Sequence, residues 1–91
     1  MERPKRNNDA SWKKLGDKTL ILSTRIDGQM HELNSTGDFL WQLCDGRHSM
    51  ENITRKFREH YGLNEQQARE DVEAFLNQLA RKKLLFDQVA Q

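Results

Sequence analysis

Cysteine and proline each occur once in this chain, and glycine five times. A single thiol, Cys44, excludes an internal disulfide and fits a reducing compartment. The glycines stand singly at turns, so there is no glycine-rich loop to cradle a phosphate. No apolar run approaches the roughly 20 residues that span a bilayer. Net charge is almost absent too: 15 basic against 14 acidic side chains leave +1. That balance argues against bulk nucleic acid or an anionic membrane as partner. The one local bias is the basic opening MERPKR, which has no apolar stretch behind it and so does not read as a secretory signal. Residues 1–10 are expected to be a disordered basic tail and residues 87–91 a C-terminal tail, leaving one domain over residues 11–86. The expectation is a small cytoplasmic domain without membrane attachment.

Catalytic groups are equally sparse. His31, His48 and His60 are the only imidazoles. Cys44 and His48 are four apart, a ligand-like spacing on a helix, but Asp45-Gly46 interrupts it and no second ligand pair exists. Cys44 therefore reads as a small buried thiol and His48 as a turn residue. No serine stands in a nucleophile elbow. Asp45 reads as a turn residue and Asp71 as a helix acid, neither with a carboxylate partner. The expectation is no catalysis, no metal and no cofactor.

With 91 residues, 35% of them hydrophobic, the chain can build one modest core. Residues 11–33 alternate and turn as a meander. Ser11–Leu15 and residues 18–26 are the first two strands, separated at Gly16-Asp17. Asp27-Gly28 carries the signature of a two-residue hairpin, and Gln29–Leu33 returns as the third strand. That turn predicts pairs of Ile26 with Gln29, Thr24 with His31, and Leu22 with Leu33. The buried face would then hold Leu20, Leu22, Ile26 and Leu33.

Three helices follow, giving the order βββααα. The first is predicted from Ser35, with Asp38 completing a capping box; it buries Phe39, Leu40 and Leu43 and ends at Asp45-Gly46. Trp41 on it is expected to plug the gap between helix and sheet. The second has Ser49 as its cap, Met50, Ile53, Phe57 and Tyr61 at helical spacing, and Gly62 as its stop. The third is capped by Asn64, with Leu63 stapled to Ala68 and an apolar stripe of Val72, Phe75, Leu76 and Leu79. Its acids (Glu65, Glu70, Asp71, Glu73) precede its bases (Arg81, Lys82, Lys83), in accord with the helix dipole. Leu84-Leu85-Phe86 is expected to return onto the core.

The chemistry on offer is that of the backbone. A three-stranded meander has two edges. In the third strand Gln29, His31 and Leu33 would bond inward, leaving Met30 and Glu32 to present unpaired N–H and C=O groups outward. Neither lysine nor proline guards this edge. An extended peptide can add there as a fourth strand; one of the protein's own helices or a second copy can also cover it.

The ordered run Leu33-Asn34, Thr36-Gly37, Trp41, Leu43, Asp45-Gly46, Ser49, Ile53, Tyr61, Asp71-Val72, Phe75-Leu76, Leu79 and Leu84-Leu85 resembles the PqqD family of pyrroloquinoline quinone biosynthesis and its relatives. The likeness covers residues 12–86. It implies an α+β, winged-helix-like domain, the RiPP recognition element. Members bind the leader of a ribosomally made precursor peptide and present it to a modifying enzyme, typically a radical SAM enzyme. The leader adds beside the third strand in a cleft walled by the third helix. By position, the contacts implied are Gln29, Met30, His31, Glu32 and Leu33, with a helix wall at Asp71, Ala74, Phe75, Gln78 and Lys82.

Two rival readings remain. A winged-helix DNA binder needs a basic recognition helix. The third helix opens with acids, and Arg55, Lys56 and Arg58 on the second are expected to pair with Glu51 and Glu59 on a solvated face. A homodimerising adaptor would use the same strand edge.

Overall fold

The computed structural model describes residues 3–23 and 25–86. Three antiparallel strands, β1 (Ser11–Leu15), β2 (Lys18–Ser23) and β3 (Gln29–Leu33), lie in the order β1-β2-β3. Three helices follow: α1 (Ser35–Leu43), α2 (Met50–Tyr61) and α3 (Glu65–Arg81). All three helices are capped by short polar side chains, which satisfy backbone donors that have no partner inside the helix. Asn34 accepts from the Gly37 N–H at 2.9 Å, Ser49 from Asn52 at 3.0 Å and Asn64 from Gln67 at 2.8 Å. The cap of α1 is thus Asn34, not Ser35. Asp38 is not part of a capping box; its carboxylate is turned onto the sheet. Gly62 ends α2 with φ 67°, a left-handed conformation open to glycine without a side-chain clash.

The hairpin differs from the two-residue turn that Asp27-Gly28 suggests. The Ser23 carbonyl accepts from the N–H groups of Ile26, Asp27 and Gly28, each at 2.9 Å. The Asp27 carboxylate accepts from Ser23 Oγ and from the Gln29 N–H. The connection therefore spans residues 24–28, and Ser23, rather than Ile26, pairs with Gln29. His31 pairs with Ile21 and Leu33 with Thr19; Thr24 lies outside the described residues. A shift of three residues is odd, so it turns β2 over. Thr19, Ile21 and Ser23 face the helices and are buried, whereas Leu20 and Leu22, expected inside, lie on the outer face. The polar groups brought inward are satisfied, Thr19 by Asp38 and Ser23 by Asp27.

Between sheet and helices lies a core of Ile21, Leu40, Trp41, Ile53, Phe57, Val72, Leu76 and Leu79, closed at one end by Leu84 and Leu85. Phe39, Leu43 and Phe75 are half-buried against it, and Phe86 is exposed. Trp41 is fully buried and meets Trp12 edge to face at 6.2 Å between ring centres. Its Nε1–H has no hydrogen-bond partner among the described residues, so its contribution is one of volume.

Residues 3–10, a tail by composition, are laid between two other segments. The Arg6 N–H donates to the Cys44 carbonyl and the Gly46 N–H to that of Pro4, both at 2.9 Å. On the other side the Asn7 N–H reaches Leu84 and the Phe86 N–H reaches Lys5, at 2.9 and 2.7 Å. Pro4 is fully buried. The last turn of α1 has no basic residue of its own, and Arg6 supplies one. Its guanidinium donates to the Trp41 and Gln42 carbonyls at 2.8 and 3.1 Å and lies 5.1 Å from the Trp12 ring. A cation at those carbonyls of the last turn favours the helix end. Composition cannot register this segment, because its anchoring is almost all backbone.

Replacing a buried indole by a methyl group leaves a cavity that the rigid pair of sheet and helix cannot fill. Trp41→Ala is expected to lower unfolding free energy by about 3–5 kcal/mol, read by chemical denaturation.

Candidate peptide-binding groove

Strand β3 is an edge of the sheet. The Gln29 carbonyl accepts from Ser23 Oγ at 3.1 Å and so faces β2. By the two-residue alternation of a strand, the backbone groups of Met30 and Glu32 turn outward. Beside this edge a groove of about 460 Å³ runs between β3 and α3. Glu32 and Leu33 form one wall, and Asp71, Ala74, Phe75 and Gln78 form the other; Asn34, Thr36, Gly37, Leu40 and Phe57 close the end and floor.

The structure thus brings together six of the ten residues singled out in the sequence: Glu32, Leu33, Asp71, Ala74, Phe75 and Gln78. Gln29, Met30 and His31 lie farther along the same edge strand, outside the cavity lining. Lys82 is exposed at the C-cap of α3, also outside it. The floor from α1 and α2 was missed, although Thr36-Gly37 lies inside the motif that carried the resemblance. Gly37 needs its missing side chain. A Cβ there would stand 3.2 Å from Leu33 Cβ and 3.4 Å from Phe75 Cε1, the two side chains that flank the groove.

The charged residues lining the groove are both acids, Glu32 and Asp71. Asp71 accepts from Gln67 at 2.8 Å, and Glu32 lies 3.8 Å from Lys18 across the sheet. His31 points beneath the hairpin, its Nε2 3.3 Å from Ser23 Oγ and 3.9 Å from the Asp27 carboxylate. The Ser23 hydrogen bond holds the Asp27 carboxyl below its usual pKa. Serine, aspartate and histidine meet here, but both partners converge on one ring nitrogen and Ser23 is fully buried. The cluster fixes the loop that sets the register of β3.

Asp38 fixes the floor. Its carboxylate bonds Lys14 of β1, Thr19 of β2 and Gln42 of α1. Burial alone would raise its pKa, but the bonds from Lys14, Thr19 and Gln42 outweigh that and leave it below the ordinary value. Cys44, by contrast, is pushed up to about 12 by burial and stays a thiol. Asp45, bonded to the Arg47 N–H and at 2.9 Å to His48, is a turn residue; its pKa is lowered despite some burial. Among the described residues no cluster of three or more His, Cys, Asp or Glu side chains is placed to hold a metal ion, and no helix is long and apolar enough to cross a membrane.

A second groove, of about 480 Å³, separates α2 from α3. It is lined by Arg55, Arg58 and Arg69 interleaved with Glu51, Glu65 and Glu73. Of these, Arg69 pairs with Glu65 at 2.8 Å. The expected pairing of Arg55, Lys56 and Arg58 with Glu51 and Glu59 is not formed among the described residues. The alternation of sign leaves no single-sign surface for a phosphate backbone.

Fold and groove together define a single α+β, winged-helix-like domain with an open strand edge beside a helix-walled cleft. The family model for Coenzyme PQQ synthesis protein D (PqqD) matches residues 13–85, and the chain belongs to that family. Among solved structures it is similar to that described as TbiB1 in complex with the TbiA(beta) leader peptide. The TM-score is 0.82 at 23% sequence identity, covering 96% of this chain and 99% of the other. At that identity the likeness establishes the fold. No curated protein matches the chain.

A carboxylate whose folded pKa is depressed contributes stability above its unfolded pKa and loses it as pH falls through the folded value. Asp38→Asn is therefore expected to destabilise the domain at pH 7. The gap from wild type should close below about pH 4, the unfolded range of aspartate, in urea titrations across pH.

Proposed function

We propose that the protein captures the leader of a ribosomally made precursor peptide by strand addition to β3. It then presents that peptide to a modifying enzyme in the synthesis of pyrroloquinoline quinone or a related peptide-derived product. The observation that carries this reading is the coincidence of a strand edge, unpaired among the described residues, with a groove whose opposite wall is α3. The edge offers main-chain bonds that any extended peptide can use; the groove supplies selection through side chains. Family membership and the shared fold of TbiB1, which was solved with a leader peptide, support the same assignment.

The apolar lining of Leu33, Gly37, Leu40, Phe57 and Phe75 suits an apolar side chain, and Asp71 at its margin suits a lysine or arginine nearby. The contacts proposed are those of Gln29 to Leu33 with Asp71, Ala74, Phe75 and Gln78; Lys82 would meet the peptide only beyond the groove. In this role the protein is not itself catalytic, acts in the cytoplasm and works with an enzyme of the radical SAM type.

The direct test is an amide NMR titration with a synthetic leader copied from the precursor-peptide gene nearest to this protein's own. Shifts confined to residues 28–34 and the α3 flank are expected. Shifts across α2 with a DNA duplex, and none with the leader, would favour a repressor instead.

Because the outward bonds come from backbone, Met30→Pro should abolish leader binding and Met30→Ala should largely preserve it. Equal losses would count against strand addition. Gly37→Ala should change stability by less than about 1 kcal/mol, helix propensity offsetting crowding. The same variant should weaken leader binding roughly tenfold by calorimetry, since Leu33 and Phe75 must move.

A further inference from the structure

One face of the sheet packs on the helices; among the described residues nothing covers the other, which is bare. The register puts Leu15, Leu20, Leu22 and Met30 on the bare face, with Lys13 and Glu32. Leu15 is 50% exposed, Leu22 36% and Met30 63%. A contiguous aliphatic patch on so small a domain marks a contact surface.

The arrangement of charge names the occupant. Across the strands, Lys13, Leu20 and Glu32 form one row, and Ser11, Leu22 and Met30 form the next. The positive end of the first row is on β1 and the negative end on β3. Consider two copies stacked face to face about a two-fold axis running along β2. The axis lays β1 of one copy over β3 of the other and keeps each row at its own height. Lys13 then faces the second copy's Glu32 at both ends of the row, while Leu20 and Leu22 meet their own counterparts. An isologous contact needs a surface complementary to itself, and this row reverses sign about its own centre. Lys18, which would oppose its counterpart, has Glu32 at 3.8 Å as counter-charge and a half-exposed side chain free to swing aside. Stacked sheets lie about 10 Å apart, within reach of these side chains.

We infer that the bare sheet face is a self-association surface whose partner is a second copy of this chain. The β3–α3 groove opens on the helix side of the sheet, so the pair carries two free grooves. Four aliphatic side chains make a small contact, at the low end of specific interfaces near about 1,200 Å² in total. The pair therefore forms in a concentration-dependent manner.

Sedimentation velocity over a roughly hundredfold concentration range tests this. The wild-type protein is expected to move from monomer to dimer, and Leu22→Glu to remain a monomer throughout. Lys13→Glu, which sets like charges opposite each other, should weaken association roughly tenfold or more. The double exchange Lys13→Glu with Glu32→Lys should recover it. These positions are solvent-facing, and circular dichroism of each variant verifies its fold. The inference is overturned if the wild type stays monomeric at every concentration or if the charge exchange does not restore association. It is equally overturned by a dimer that survives Leu22→Glu, because β2 is the central strand and such a dimer is held at the β3 edge or elsewhere.

Discussion

The Asp38 carboxylate joins more of this molecule than any other single group. It sits in the first turns of α1 yet bonds to β1 through Lys14 and to β2 through Thr19. A buried acid held in this way is costly to leave unpaired, so the angle at which α1 lies on the sheet is strongly determined. Much of what closes the groove depends on that angle, since Thr36, Gly37 and Leu40 project from the same helix. The opposite end of α1 is held separately by Arg6, whose guanidinium takes the place of the basic residue absent from its last turn.

The groove is accordingly a rigid corner with one unsatisfied side. Three elements pack firmly around Trp41, Phe57 and Ile21, while among the described residues no strand pairs with the outer backbone of β3. Main-chain bonding is indifferent to sequence, so discrimination must come from what projects beside it. Here that is an apolar floor with Asp71 at the margin. Separating affinity from selectivity lets a fold of this size serve many different leaders by changing a handful of groove residues. Elsewhere in the domain the buried thiol is pushed far from reactivity, and the histidines are engaged in loop and aromatic contacts.

Several features were legible in the chain because they are local. The order of elements, the caps Ser49 and Asn64, the stop at Gly62 and the stripe of α3 all follow from side chains acting within a turn or two of themselves. The edge was legible as well: the last strand of a meander lies at the edge of the sheet, and the expected and observed pairings alike turn Gln29 toward β2. The face of β2 was not legible. Residues 18–23, KTLILS, carry aliphatic side chains on both faces, so hydrophobicity could not choose between them. The Asp27 side chain, bonding Ser23 and Gln29, lengthened the turn and settled it.

By itself, then, the sequence determined the element order, the helix boundaries and the existence of an open strand edge, because short-range sterics and capping bonds decide those. Tertiary structure alone decided three other things. The Asp27 bonds across the hairpin, together with the Asp38 bond to Thr19, chose which face of the sheet is buried. Long-range bonds drew residues 3–10 into the fold between the α1–α2 turn and the C-terminal segment. And the close approach of Gly37 and its near neighbour Leu33 to Phe75, from a helix far along the chain, made a groove of what the sequence shows only as a strand and a helix.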